Sequence, residues 1–152
     1  MIDQRPQGGI PAPIYGQITF LYYDDLAPAA AFYGDVMGFE LVEDQAWARI
    51  YRVGDDAFLG IVAGEKGYHR PQARNAVLLT LVVDDVPGWY DYLAGHGVAM
   101  LSEVQDRPEI QIRCFFLEDP GSYTLEIQEF LRPDLVETFY HGAGRVDAVG
   151  GA

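Results

Sequence analysis

A carboxylate set inside an apolar run is the sharpest chemical signal in this sequence. Glu126 stands between Leu125 and Ile127, near the end of a stretch that reads as a β-strand. A carboxylate in such surroundings either pairs with a cation or titrates above its usual range, which suits acid–base work. Other reactive side chains are sparse. The single thiol, Cys114, has no neighbouring base in sequence and reads as a buried, inert cysteine rather than a nucleophile. The three histidines, His69, His96 and His141, are too scattered to suggest a metal site. Arg49 and Arg113 fall at matching places in two similar stretches and are expected to pair with acidic surface groups.

The elements that position these residues come as a repeat. Ile18–Asp25 (ITFLYYDD) is an apolar run closed by two aspartates, and Leu78–Asp85 (LLTLVVDD) repeats it sixty residues later. Asp25 and Asp85 each read as a helix N-cap, with Pro28 and Pro87 tolerated in the first turn. Gly38 and Gly97 stop the two helices. After each helix come a short strand and a hairpin, the first turning at Gly54-Asp55-Asp56 and the second at Glu118–Gly121. The order is β-α-β-β-β twice. A repeat of this length means two copies of one unit, neither able to bury its apolar face alone. The chain divides into an arm (1–15), a first module (16–62), a polar linker (63–75), a second module (76–130) and a tail (131–152). A helical turn is expected at Leu135–Tyr140 and a loose Gly-rich end after it.

Composition narrows the partners. The chain has 152 residues, nearly half of them apolar, enough for a packed core. Its formal net charge of −13 argues against nucleic acid and anionic membranes. The arm lacks the apolar segment of a secretory signal, and no run approaches the roughly 20 residues of a membrane span. With one cysteine, no disulfide can form within the chain, and a cytoplasmic location is expected.

The punctuation resembles that of the vicinal oxygen chelate superfamily, which includes glyoxalase I, bleomycin- and fosfomycin-resistance proteins and extradiol dioxygenases. The resemblance rests on Asp25-Leu26, Phe32-Tyr33 and Gly38-Phe39, and on the hairpin Phe115–Ile127 (FFLEDPGSYTLEI). It implies an α+β fold in which two βαβββ modules form a curved, cup-shaped mixed β-sheet. It also implies four metal-ligand positions, which fall here at Ile18, Gly60, Leu78 and Glu126. Only one of the four carries a donor side chain. No metal and no cofactor are therefore expected.

The same resemblance, with strand alternation, sets the lining of the cup. Tyr22, Arg52, Thr80, Cys114, Glu126 and Gln128 are its polar groups, set among Ile18, Phe20, Phe58, Gly60, Leu78, Val82 and Phe116. Glu126 and Tyr22 are the expected catalytic pair if chemistry occurs, and Arg52 is the expected partner of Glu126 if it does not. Ligand contacts are expected from Phe20, Arg52, Phe58, Gly60, Thr80, Cys114, Phe116 and Gln128. Such a cavity suits a hydrophobic or aromatic small molecule, and the acidic chain favours a cationic one. Three functions follow, in falling order: a metal-free binder, a metal-free lyase, isomerase or cyclase, and a metal-dependent glyoxalase or dioxygenase. A homodimer is expected. Tyr68, His69 and Arg70 are candidates for a lid or dimer contact, and residues 1–15 and 131–142 for a clasp.

Overall fold

The computed structural model describes Gly9 and residues 11–140. His141, the Gly-rich end and most of the N-terminal arm lie outside the described residues. β1 (Gln17–Tyr23) leads into α1 (Leu26–Ala30), which continues as a π-helix over Ala31–Val36. β2 (Glu40–Asp44), β3 (Ala48–Arg52) and β4 (Ala57–Ala63) complete the first module. The second comprises β5 (Leu78–Val82), α2 (Val86–Gly95), β6 (Ala99–Met100), β7 (Gln105–Arg107), β8 (Ile112–Glu118) and β9 (Thr124–Phe130). A last helix, α3, spans 133–140. No helix among the described residues is long and apolar enough to cross a membrane.

Each module carries its own mixed sheet. The orders are β1-β4-β3-β2 and β5-β9-β8-β6, with β7 also on β8. In both, the first strand runs parallel to the last and the remaining pairs are antiparallel. The repeat read from the sequence is thus a repeat of pairing: Ile18 lies beside Phe58, and Leu78 beside Thr124.

The helix starts follow from their caps. Asp25 accepts from Ala27 N (3.1 Å) and Asp85 from Gly88 N (3.0 Å), each cap contributing about 1 kcal/mol. The first helix departs from the regular α-helix expected: Met37 N donates to Phe32 O (2.8 Å), five residues back. The widened turn carries two consecutive buried aromatic side chains, Phe32 and Tyr33. The short strand expected after the second helix is only β6, Ala99–Met100, because Leu101 and Ser102 both donate backbone N–H to Phe116 O and interrupt the ladder before β7.

One core joins the modules. Leu21, Tyr23, Leu59 and Ile61 of the first sheet share it with Leu81, Phe115, Leu117, Leu125 and Ile127 of the second, and Tyr33 and Leu93 enter from the helices. At its edge, Asp119 of the β8–β9 turn is 5% exposed. Its carboxyl group accepts from the Tyr23 hydroxyl, the Tyr33 hydroxyl (2.7 Å), Gly121 N (2.8 Å) and Tyr123 N (2.9 Å). Burial, then the neighbouring tyrosine and Asp119, pushes the Tyr23 phenol far above its usual range. Burial, then Asp119, does the same to Tyr33.

Candidate functional site

Strand alternation buries one face of each sheet against the helices and leaves the other free. On the first sheet the free face carries Ile18, Phe20 and Tyr22 of β1, Phe58, Gly60 and Val62 of β4, and Ala48, Ile50 and Arg52 of β3. On the second it carries Leu78, Thr80 and Val82, then Thr124, Glu126 and Gln128, then Cys114 and Phe116. These are the residues expected to line a cup. Ile18 and Phe20 are 41% and 42% exposed and Leu78 is 51% exposed, so both faces are apolar and open along β1 and β5, while Ala48, Val62, Cys114 and Glu126 further in are buried.

The first face is an aromatic platform. Phe20 lies across Gly60 in the neighbouring strand, and a Cβ at position 60 would stand 2.3 Å from its ring. The space above Gly60, an expected ligand contact, is filled by this phenyl ring. Beside it the Arg52 guanidinium sits 4.9 Å from the centroid of Phe58. Tyr22 packs against the linker: a Cβ at Gly67 would fall 2.6 Å from its ring, and the His69 ring meets it edge-on at 5.5 Å. Tyr68 stacks edge-on against His69 in turn, and Arg70 Nη1 pins the linker by donating to Gly67 O (2.8 Å).

The second face surrounds Glu126, which is 8% exposed. Thr80 and Phe116 flank it in register. Thr80 Oγ1 donates to Glu126 Oε1 (2.8 Å), and the Cys114 thiol lies against the same carboxyl group. Cys114 is fully buried opposite Gln128, and burial, then Glu126, pushes its thiol up to about 11. It is a packed, unreactive side chain.

The expected pairing of Arg52 with Glu126 does not occur. Arg52 lies in register with Glu40 of the adjacent strand; its Nε donates to Glu40 Oε2 (3.2 Å) and its Nη1 to Asp55 O (3.1 Å). A cross-strand carboxylate a few ångströms away takes the cation first. Tyr22 and Glu126 likewise belong to separate sheets, and their side chains share no hydrogen bond or ring contact. Arg49 and Arg113 do meet surface acids, Asp44 (3.5 Å) and Asp106 (2.7 Å).

Metal chemistry finds little to work with. The positions at which the resemblance places ligands carry Ile18, Gly60, Leu78 and Glu126, one donor in four. Among the described residues no group of three or more His, Cys, Asp and Glu stands where it could hold a metal ion. The donor set does not fit a divalent metal centre.

Sequence reasoning missed the buried Asp119 cluster. The turn itself was legible, but the tyrosines that fill it come from positions up to 96 residues away. No periodicity marks such a contact.

The family model of the Glyoxalase/Bleomycin resistance protein/Dioxygenase superfamily matches residues 15–127. Solved structures share the fold. Lactoylglutathione lyase from Agrobacterium tumefaciens is 23% identical (TM-score 0.62), over 78% of this chain and 94% of that one. TioX from Micromonospora sp. ML1 is 19% identical (TM-score 0.65; 76% and 98% covered). The fosfomycin resistance protein FosX from Listeria monocytogenes is 16% identical (TM-score 0.61; 74% and 90% covered). No curated protein matches the chain.

Proposed function

The chain belongs to the glyoxalase/bleomycin resistance protein/dioxygenase superfamily, and from that premise we propose that it binds a hydrophobic or aromatic small molecule without a metal, sequestering it as an antibiotic or metabolite. The observation that carries this reading is Glu126 itself, a nearly buried carboxylate held by the Thr80 hydroxyl on a sheet face whose edge residues Leu78 and Val82 are exposed. Apolar walls supply most of the binding energy, at about 25 cal/mol per Å² removed from water. Glu126 supplies orientation, accepting from a ligand N–H or meeting a cationic group. The net charge of −13 adds long-range attraction for such a cation.

A single chain leaves Ile18, Phe20, Leu78 and Val82 exposed, and a second copy completes the site in this reading. Setting the Phe20 face of one chain against the Glu126 face of another covers both apolar patches and encloses the ligand between an aromatic platform and a carboxylate. The protein in this reading is a cytoplasmic homodimer; its one thiol is buried and cannot cross-link.

A second reading draws on the same carboxylate. Glu126 acts as general acid–base of a metal-independent lyase, isomerase or cyclase, its carboxylate taking a substrate proton. Tyr22 then enters only from the second chain, because within one chain it stands on the other sheet.

The test is a thermal-shift screen of aromatic and cationic aromatic compounds, followed by calorimetry on the hits with wild-type, Phe20→Ala and Glu126→Gln proteins. Binding that weakens in both variants supports the site. Binding untouched by both removes it. Turnover of a bound hit by wild type and not by Glu126→Gln selects the enzyme.

A further inference from the structure

The two modules meet twice, at junctions related by the internal repeat, and the two junctions are not built alike. At the first, Tyr123 at the start of β9 reaches the free edge of β1. Its hydroxyl accepts from Tyr22 N (2.9 Å) and donates to Tyr22 O (3.3 Å). β1 turns the backbone of Tyr23 towards β4, since Gly64 N donates to Tyr23 O, so Tyr22 faces away from its sheet. One phenol therefore fills the gap and satisfies both polar groups of an edge residue.

The repeat places Ala57 where Tyr123 stands and Val82 where Tyr22 stands, because Ile18 pairs with Phe58 as Leu78 pairs with Thr124. Val83 N donates to Gln128 O, so the backbone of Val82 likewise faces the free edge of its sheet. Alanine brings neither a ring nor a hydroxyl. The consequence is a recess of about 380 Å³ beside Ala57 and Val82, walled by Met37, Phe39, Val53, Trp89 and Phe139 of α3. Ala57 sits on the core side of β4 with the buried Leu59 and Ile61, yet it is exposed. No charged side chain lines the space. Its volume falls within the range of small-molecule sites.

We infer that this recess, which borders the second sheet face at Thr80 and Val82 but contains neither Glu126 nor Phe20, is a second binding site and that it takes a small uncharged phenol. The ring occupies the space that Tyr123 occupies at the first junction, and the hydroxyl bonds the backbone N–H and C=O of Val82. The aromatic walls, Trp89, Phe39 and Phe139, suit a flat ligand. The volume admits a substituted or bicyclic phenol.

The probe is p-cresol, the tyrosine side chain itself, followed by NMR of protein labelled with [¹³C-methyl]methionine. The chain has three methionines, of which Met37 lines the recess and Met100 does not. The expected result is a saturable shift of the Met37 methyl with Met100 unmoved, at a Kd of about 1 mM or below. Toluene, lacking the hydroxyl, binds about tenfold more weakly, the worth of one hydrogen bond. Ala57→Tyr rebuilds the first junction at the second and abolishes the shift. Ala57→Leu, which fills the space without a hydroxyl, does the same and serves if the tyrosine variant does not fold. Phe20→Ala and Glu126→Gln leave the shift intact, which separates this site from the sheet-face site. A Met37 methyl that never moves, or that still moves in the Ala57 variants as it does in wild type, overturns the inference. So does a shift lost with Phe20→Ala or Glu126→Gln.

Discussion

Phe20 rests on Gly60 closely enough that no other residue fits beneath it: a Cβ there would lie 2.3 Å from the ring. The relation fixes the shape of the first sheet face, because the phenyl ring lies flat only over bare backbone. Gly60→Ala forces the ring off the strand. Overpacking of this kind costs about 1–3 kcal/mol, and the displaced ring no longer offers its face to a ligand. The expected outcome is a lower Tm, with ligand affinity reduced about tenfold for a ~1.4 kcal/mol loss. A variant as stable as wild type with unchanged affinity contradicts this role for position 60.

Glu126 should discriminate by charge. Glu126→Gln keeps the Thr80 hydroxyl partner and removes the negative charge. A cationic ligand is expected to lose tenfold or more in affinity, the worth of ~1.5–3 kcal/mol for a hydrogen bond to a charged group. Its neutral isostere should lose little. Paired calorimetric titrations of the two ligands on both proteins measure the difference. Equal losses for the two ligands would assign Glu126 a packing role.

Tyr33 and Asp119 form a bond across the modules at 2.7 Å. Tyr33→Phe leaves the buried carboxyl group short of a donor and is expected to cost ~1–3 kcal/mol in chemical denaturation. Asp119→Asn, which retains an acceptor, should cost less in the Tyr33→Phe background than alone. Strict additivity in that double-mutant cycle would rule the bond out as a source of stability.

Alkaline pH should unfold this protein through its buried phenols. Tyr23 and Tyr33 are both held above the ordinary tyrosine value by burial and by Asp119. In the unfolded chain they ionise near pH ~10, while in the folded chain they keep their protons. Above that pH the unfolded state binds fewer protons than the folded one, so stability falls as pH rises. The slope is about 1.4 kcal/mol per pH unit for each such phenol. The stabilisation is fully present below pH ~10. Urea midpoints between pH 9 and 11, on wild type and Tyr23→Phe, measure it; the variant should show the shallower decline.

The thiol at position 114 should be silent. Burial, reinforced by Glu126, raises it to about 11, and the side chain is fully covered. Iodoacetamide at pH 8 is expected to label the native protein far more slowly than the urea-unfolded chain. Comparable rates would mean that the Glu126 face opens readily.

Much of this architecture was legible in the sequence, and the boundary of what was legible is physical. Asp25 and Asp85 announce both helices because an N-cap is a local device, and both do cap. Alternation correctly assigned Phe20, Thr80, Glu126 and Phe116 to one side of their strands, since a strand has only two sides. Alternation does not say which faces look at each other, so the Arg52–Glu126 pairing failed against Glu40, a neighbour across one hydrogen-bonded strand pair. The π-turn at Phe32 and Tyr33 also escaped; Tyr33 bonds Asp119, 86 residues away, a contact that no local pattern announces.

That turn bears on how the halves of the repeat relate as folding units. The Asp119 hydrogen bonds to Tyr23 and Tyr33 span 96 and 86 residues of chain. A ribosome has therefore released the first module long before its tyrosine hydroxyls find their acceptor. The N-terminal half alone would leave two phenols buried without a partner or exposed with their apolar rings, and neither is a stable resting state. Two units that look interchangeable in sequence have become mutually dependent, and the final closure of the fold waits for the last hairpin to emerge.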